Sequence, residues 1–277
     1  RGDCCNFLKR YNAREHSIQT LTQRIFTVLS DSFPSIYLYG SIPLDDFRLG
    51  WSDIDILVLT DKQITERQAQ KLVGLRQTML EKEPDNPYYR CFEGGMMSYD
   101  AFISGKADRV VYWGTDSEKI TDHYTLDSFG STELIESSVL LYGNDIRNQL
   151  KAPEFNELYA DVKHHYDTIR KYAQKTGRSI YSFGWMLDIA RCIYTLRTGK
   201  IIAKTAAGQW ALKNNLCPDP DALRIALEVR RNPLEHKGDK QIFDYAETLA
   251  EPIQRFADVL EKELKISKQD VRINENA

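Results

Sequence analysis

The sequence predicts an α/β domain over residues 1–150, with a mixed sheet flanked by helices, followed by an all-α helical bundle over residues 151–277. Up to about residue 150, runs of β-branched and aromatic residues alternate with helical patterns. Beyond that point only helical patterns follow, separated by short glycine and proline breaks. A chain of 277 residues is long enough for two hydrophobic cores.

The elements of the first domain follow from residue type and spacing. Apolar residues recur at helical intervals before Pro34, and β-branched or aromatic runs mark the strands. Gly94-Gly95 weakens the prediction of a strand over 91–103 and favours a bulge or bend there. The predicted elements are helices over 17–31 and 64–82, strands over 36–39, 54–59 and 91–103, and short strands at 110–112 and 138–142.

The second domain is predicted to contain helices alone. Its breaks lie at Thr176-Gly177, Thr198-Gly199, 218–220 and Gly238, and the domain boundary is expected near 146–154. The predicted helices cover residues 155–175, 179–197, 203–215, 219–231 and 241–265.

Composition and charge narrow the class of protein. No apolar run reaches about 18 residues, so we expect no membrane partner. A net charge of -3 argues against nucleic acid as the main partner, because such partners need a basic face. The five cysteines have an odd count and no zinc spacing, so we expect reduced thiols in a cytoplasmic protein. They are Cys4, Cys5, Cys91, Cys192 and Cys217. We also expect a monomer.

One segment carries the pattern of a metal and phosphate site. If residues 53–59 form a strand, Asp53 and Asp55 project from the same face, because strand side chains alternate. Two carboxylates this close favour a cation between them, and oxygen ligands suit Mg²⁺. Gly40-Ser41 ends the preceding strand, where glycine permits close backbone approach and serine offers donors to a phosphate.

These residues resemble a known signature. Gly40-Ser41, ten further residues and then Ser52-Asp53-Ile54-Asp55 are similar to the motif of the polymerase-β-like nucleotidyltransferases. Within that superfamily the chain looks most like the streptomycin/spectinomycin-type aminoglycoside adenylyltransferases. The segment 90–93 resembles their Arg-x-Leu-Glu strand, and residues 191–211 resemble their second-domain motif. The resemblance covers most of residues 35–235.

The resemblance implies a function and a set of roles. It implies transfer of AMP from ATP, the co-substrate, to a hydroxyl of a small cationic antibiotic, with release of pyrophosphate and two Mg²⁺ ions as cofactors. Asp53 and Asp55 would hold Mg²⁺ with Glu93, which would also be the general base. The helical domain would complete the ATP and acceptor cleft. The implied nucleotide-binding residues are Gly40, Ser41, Ser52, Arg191 and Lys204.

Alternatives exist for single residues. Asp100, seven positions after Glu93, could be the third carboxylate if the strand register differs. Arg191 and Lys204 could be surface charges of amphipathic helices. His164-His165 is not expected to form a metal site, because neighbours in a helix point in different directions.

The acceptor is less defined than the reaction. The acidic residue expected about ten positions before Arg191 is replaced by Tyr181-Ser182, which puts a streptomycin-like acceptor in doubt. The alternatives are a nucleotidyltransferase of the same build acting on another small molecule or a protein, and a non-catalytic nucleotide-binding module. A cationic acceptor needs clustered carboxylates. The candidates are Asp46, Glu133, Glu136, Asp161 and Asp167.

Overall fold

The computed structural model describes residues 2–115 and 117–275, with side chains described for 13–115 and 117–267. The side chains of Cys4 and Cys5 therefore lie outside the described residues, whereas Cys91, Cys192 and Cys217 are free thiols. No helix in the described ranges is both long and apolar enough to cross a membrane.

The chain folds as two compact units. The first contains the chain up to Pro43, Ser52–Leu126 and Glu133–Lys151, and the second contains Leu44–Trp51, Asp127–Thr132 and the chain from Ala152 onward. Each unit is therefore discontinuous in sequence. The second unit includes two short segments, Leu44–Trp51 and Asp127–Thr132, that lie in sequence before the division predicted at residue 150.

The first unit is built on a six-stranded mixed sheet. Its order is β5-β4-β3-β2-β1-β6, in which only β2 and β3 run parallel. The strands are β1 Pro34–Tyr39, β2 Ile54–Thr60, β3 Phe92–Ser98, β4 Val110–Trp113, β5 Glu118–Thr121 and β6 Val139–Tyr142. Its helices are α1 Gly2–Leu29, α2 Glu66–Val73, α3 Leu75–Lys82 and α4 Tyr99–Ser104, whereas α5 Ser128–Glu136 is divided between the two units.

The second unit is helical around a central helix. Helix α7 buries most of its side chains and is packed by neighbours from several sides. Gly208 allows one close approach, because a Cβ there would lie 2.9 Å from Leu187 and from Leu227. The helices are α6 Phe155–Tyr172, α7 Gly184–Thr198, α8 Lys204–Lys213, α9 Pro220–Arg231, α10 Lys240–Glu247 and α11 Ala250–Glu275. The predicted fold class is thus confirmed.

Several predicted details are wrong. Strand β3 pairs with β2 without a register shift, so Gly94-Gly95 makes no bulge. Instead, a Cβ on Gly94 would lie 1.8 Å from the Ile56 carbonyl oxygen, and a Cβ on Gly95 would meet the Tyr124 ring at 2.6 Å. Both glycines therefore serve close packing. Strand β5 and helix α5 were not predicted, because an edge strand and a helix rich in serine and threonine lack an apolar period.

A buried arginine joins three parts of the first unit. Arg76 on α3 is 4% exposed and bonds through Nε to Glu118 at 2.6 Å. Its other nitrogens donate to the carbonyl oxygens of Phe92 and Gly114 at 2.6 and 2.8 Å. A buried charge is tolerated when it is paired and hydrogen-bonded, as here. Arg76 thus fixes the start of β3 beside the end of β4.

We predict that Arg76→Ala lowers the free energy of unfolding of the first unit by about 3–5 kcal/mol, because it leaves Glu118 and two carbonyl groups without their partner. The measurement is urea denaturation followed by circular dichroism. Arg67→Ala, at an exposed position of α2, is the matched control and should change stability by less than about 0.5 kcal/mol. Equal midpoints for the two variants would contradict the role of Arg76.

Candidate active site

The centre of the candidate site is a pair of carboxylates on neighbouring strands. In the parallel pairing of β2 with β3, Asp55 is the Cα partner of Glu93. In the antiparallel pairing of β1 with β2, Tyr39 is the partner of Asp55. Directly opposed residues share a face of the sheet, so these three side chains stand in one row across three strands. Both carboxyl groups belong to half-buried residues.

Asp53 adds a third carboxylate just before β2. Burial raises the pKa of Tyr112, and the negative charges of Glu93 and then Asp53 raise it further. Burial foremost, then the charges of Asp55 and Glu93 among its neighbours, raises the pKa of Tyr124 to about 12. The fields of the three carboxylates therefore overlap on the same small group of tyrosines.

A tight turn after β1 lies against the Asp55 carboxylate. Gly40 has φ +74°, and a Cβ there would lie 2.3 Å from Asp55 Oδ2. Glycine is thus required both by backbone conformation and by space. The hydroxyl of Ser41 donates to the Asp53 carbonyl oxygen at 3.3 Å, which ties the turn to the start of β2. Ser52 is buried next to Asp53.

The structure separates Glu93 from Asp100, the two candidates for the carboxylate that joins Asp53 and Asp55. Glu93 lies in β3 beside Asp55, whereas Asp100 lies in the first turn of α4, beyond the end of β3, and is exposed. The strand ends at Ser98, whose side chain caps α4 by accepting from the Ala101 amide. The register therefore brings Glu93, and not Asp100, opposite Asp55.

The donor set is compatible with Mg²⁺. In residues 2–115 and 117–275, no group of three or more His, Cys, Asp or Glu side chains is arranged as a metal site. Mg²⁺ commonly binds proteins through only one or two carboxylates and takes its remaining ligands from water and substrate phosphates. The half-buried pair of Asp55 and Glu93, with Gly40 leaving room beside Asp55, meets that smaller requirement.

The two predicted phosphate-binding cations belong to the second unit. Lys204 begins α8, and its Nζ lies 2.8 Å from Oδ1 of Asp188. The guanidinium carbon of Arg191, on α7, lies 5.1 Å from the centre of the Phe129 ring. The ring of His165 lies 5.5 Å from the same phenylalanine. Arg191 and Lys204 are therefore parts of a polar cluster and not isolated surface charges.

Asp188 is the member of this cluster that sequence reasoning missed. Burial alone would raise its pKa, but Lys204 foremost, with His165 and Arg191, holds the pKa below its ordinary value. For His165, which is cationic when protonated, burial has the opposite effect and lowers the pKa, although the charge of Asp188 opposes that shift. The sequence signal that could have identified Asp188 is its position three residues before Arg191, which places both side chains on adjacent turns of one helix.

The segment Leu44–Trp51 is anchored within the helical unit. Asp46 and Arg230 are each 4% exposed in their side chains and form an ion pair at 2.8 Å. Asp46 also accepts from the Thr205 amide at 3.2 Å, in the first turn of α8. Burial would raise its pKa, but Arg230 and Thr205 lower it. The guanidinium of Arg230 lies 5.7 Å from the Trp51 ring centre.

Three of the carboxylates considered for a cationic acceptor already have partners within the second unit. Asp46 is already paired with Arg230, and Asp161 accepts from the Ser128 amide at 2.7 Å. Asp167 pairs with Lys163 on the same exposed helix face. Where an acidic residue was expected, Tyr181 is 61% exposed and donates from its hydroxyl to Gly50. The remaining candidates, Glu133 and Glu136, belong to the first unit.

Comparison with known proteins assigns the helical unit to a family. Residues 155–260 match the family described as aminoglycoside adenylyltransferase, C-terminal domain. None of the curated proteins matches the sequence.

A solved structure shares the fold. The spectinomycin adenyltransferase AAD(9) from Enterococcus faecialis, crystallised with ATP and spectinomycin, superposes with a TM-score of 0.61 over 92% of this chain and 99% of that chain. The identity is 14%, so the likeness is one of fold. The family match over the helices and the common fold support one assignment. Residues 155–260 thus match the C-terminal domain of the aminoglycoside adenylyltransferases, and the chain as a whole has the fold of a solved adenyltransferase.

Proposed function

We propose that this protein transfers AMP from ATP to a hydroxyl of an aminoglycoside or aminocyclitol antibiotic, in a Mg²⁺-dependent reaction that releases pyrophosphate. The observation that carries the proposal is the register of β2 against β3, which pairs Asp55 with Glu93. The family match and the ATP and spectinomycin in the neighbour's crystal support the choice of substrates.

In the proposed reaction, the acceptor hydroxyl oxygen attacks the α-phosphorus of ATP and the bond from that phosphorus to the bridging oxygen breaks. Glu93 takes the hydroxyl proton, which increases the nucleophilicity of the oxygen. Asp53, Asp55 and Glu93 would hold Mg²⁺, which when bound neutralises phosphate charge and favours in-line displacement. The leaving group is pyrophosphate.

The remaining roles concern the nucleotide. We assign Gly40, Ser41 and Ser52 to the triphosphate, because the turn after β1 presents backbone and hydroxyl donors next to the carboxylates. Arg191 and Lys204 supply positive charge to the phosphates. The ion pair of Lys204 with Asp188 holds the ammonium group in place at the start of α8, so that less rotamer freedom is lost when a phosphate binds.

We predict that Glu93→Gln lowers kcat by about 100- to 10,000-fold, the range expected for loss of a general base. Asp53→Asn should also abolish most turnover. The measurement is pyrophosphate release from ATP and Mg²⁺ with a panel of aminoglycoside and aminocyclitol antibiotics. Asp100→Asn, an exposed carboxylate on α4, is the matched control and should retain activity.

The same panel separates the rival functions. No release by the wild-type protein with any antibiotic would contradict the proposed acceptor class. Bound ATP without turnover on any small molecule or protein would favour a non-catalytic nucleotide-binding module. Turnover that survives Glu93→Gln would instead overturn the assigned base.

A second prediction concerns the cations. Arg191→Ala should weaken ATP binding by about tenfold or more, because a charge-assisted hydrogen bond to phosphate contributes roughly 1.5–3 kcal/mol. Isothermal titration calorimetry with ATP and Mg²⁺ measures the change. Arg197→Ala removes an arginine from the same helix that pairs with Glu263, and it should leave ATP affinity unchanged. An unchanged affinity in Arg191→Ala would exclude the phosphate role.

A third prediction uses two glycines of like conformation. Gly40→Ala should lower kcat/KM by at least about tenfold, because its Cβ would displace the Asp55 carboxylate. Gly105→Ala has a similar φ, +65°, but no atom within 4 Å of the added Cβ. Both variants carry the cost of a left-handed alanine, so steady-state kinetics should differ while thermal stability is lowered similarly. Equal kinetics would contradict the role of Gly40.

A further inference from the structure

We propose that Tyr112 is a positioning residue that orients the Glu93 carboxylate for proton abstraction. This inference rests on the proposed function. It extends that function to a residue on β4, outside every motif on which the family resemblance depends.

The contact that carries the inference is direct. The Tyr112 hydroxyl donates to Glu93 Oε1 at 3.1 Å. A glutamate side chain has three rotatable bonds, and a half-buried one at the end of a strand has several accessible rotamers. A hydrogen bond to one carboxylate oxygen selects among those rotamers and leaves Oε2 for the acceptor hydroxyl.

The hydroxyl can orient Glu93 because the Tyr112 ring is itself held. A Cβ on Gly114 would lie 2.8 Å from that ring, so the ring packs directly over the glycine backbone. The Tyr124 ring centre is 5.8 Å away, and Tyr124 packs over Gly95, the strand partner of Tyr112. Lys119 Nζ lies 5.6 Å from the ring centre on the neighbouring strand.

Two glycines and a buried arginine support this hydrogen bond. Gly95 leaves space for the Tyr124 ring to lie on β3, and Gly114 leaves space for the Tyr112 ring beside the end of β4. Arg76 fixes the carbonyl oxygens of Phe92 and Gly114, which adjoin Glu93 and Trp113 in the chain. The backbones that carry both partners of the Tyr112–Glu93 hydrogen bond are therefore tied to one guanidinium.

The test is the steady-state kinetics of Tyr112→Phe with ATP, Mg²⁺ and an acceptor that the wild-type protein adenylylates. We expect kcat to fall about 10- to 100-fold, the effect of removing a hydrogen bond to a charged group. The KM values for ATP and acceptor should stay within about twofold, because orientation of the base matters in the transition state and not in ground-state binding.

Tyr99→Phe is the matched control. It removes a tyrosine hydroxyl that donates to Gln149 at 3.2 Å in the same unit, and it should leave kcat unchanged. The urea midpoint of Tyr112→Phe should match that of the wild type within error. A fall in kcat that follows a loss of folded protein, or a rise in KM at constant kcat, would overturn the positioning role.

The outcomes separate this inference from the proposed function. Wild-type turnover with an unchanged Tyr112→Phe variant overturns the inference alone. Absence of wild-type turnover with every acceptor overturns the proposed function, and the inference with it.

Discussion

The parallel pairing of β2 with β3 is the constraint on which the candidate site depends. It sets Asp55 opposite Glu93, with Asp53 two residues upstream, and so concentrates negative charge at one end of the sheet. Like charges at such close range disfavour one another unless cations or hydrogen bonds compensate. The turn at Gly40, the Tyr112 hydroxyl and the fixed start of β3 all act on this carboxylate group.

The residues that position Asp55 and Glu93 come from several distant parts of the sequence. Gly40 leaves the space that the Asp55 carboxylate occupies. Arg76, from α3, holds the carbonyl oxygen next to Glu93, and Tyr112, from β4, donates to its side chain. A site whose geometry must be kept within a fraction of an ångström is expected to have such secondary contacts.

In the helical unit, the first turn of α8 is held in place by contacts with acidic residues from other elements. Asp46 accepts from the Thr205 amide and is neutralised by Arg230, so a carboxylate far away in sequence stabilises that helix terminus. Lys204 is the first residue of the helix and pairs with Asp188 on α7. The position of the proposed phosphate-binding lysine thus depends on two buried or half-buried acidic residues.

Sequence reasoning predicted what local patterns encode. The β-branched runs around Tyr39 and after Asp55, and the helical periodicity after residue 150, were sufficient for the fold class and for the motif of glycine, serine and paired aspartates. Glu93 was separable from Asp100 only by strand register, which is a tertiary property. Arg76, Tyr112 and Asp188 were not predicted, because an arginine in a short helix or a tyrosine in a strand has the same local pattern whether or not it contacts a site.

We propose that the carboxylates of Asp53, Asp55 and Glu93 hold the metal that binds the reacting phosphate. The most direct measurement is a crystal structure of the protein with Mn²⁺ and a non-transferable ATP analogue, with manganese located by anomalous scattering. We predict a manganese peak within coordination distance of Asp55 and at least one other of these carboxylates, with the α-phosphate bound beside it. Nucleotide and metal bound away from all three carboxylates would contradict this metal site.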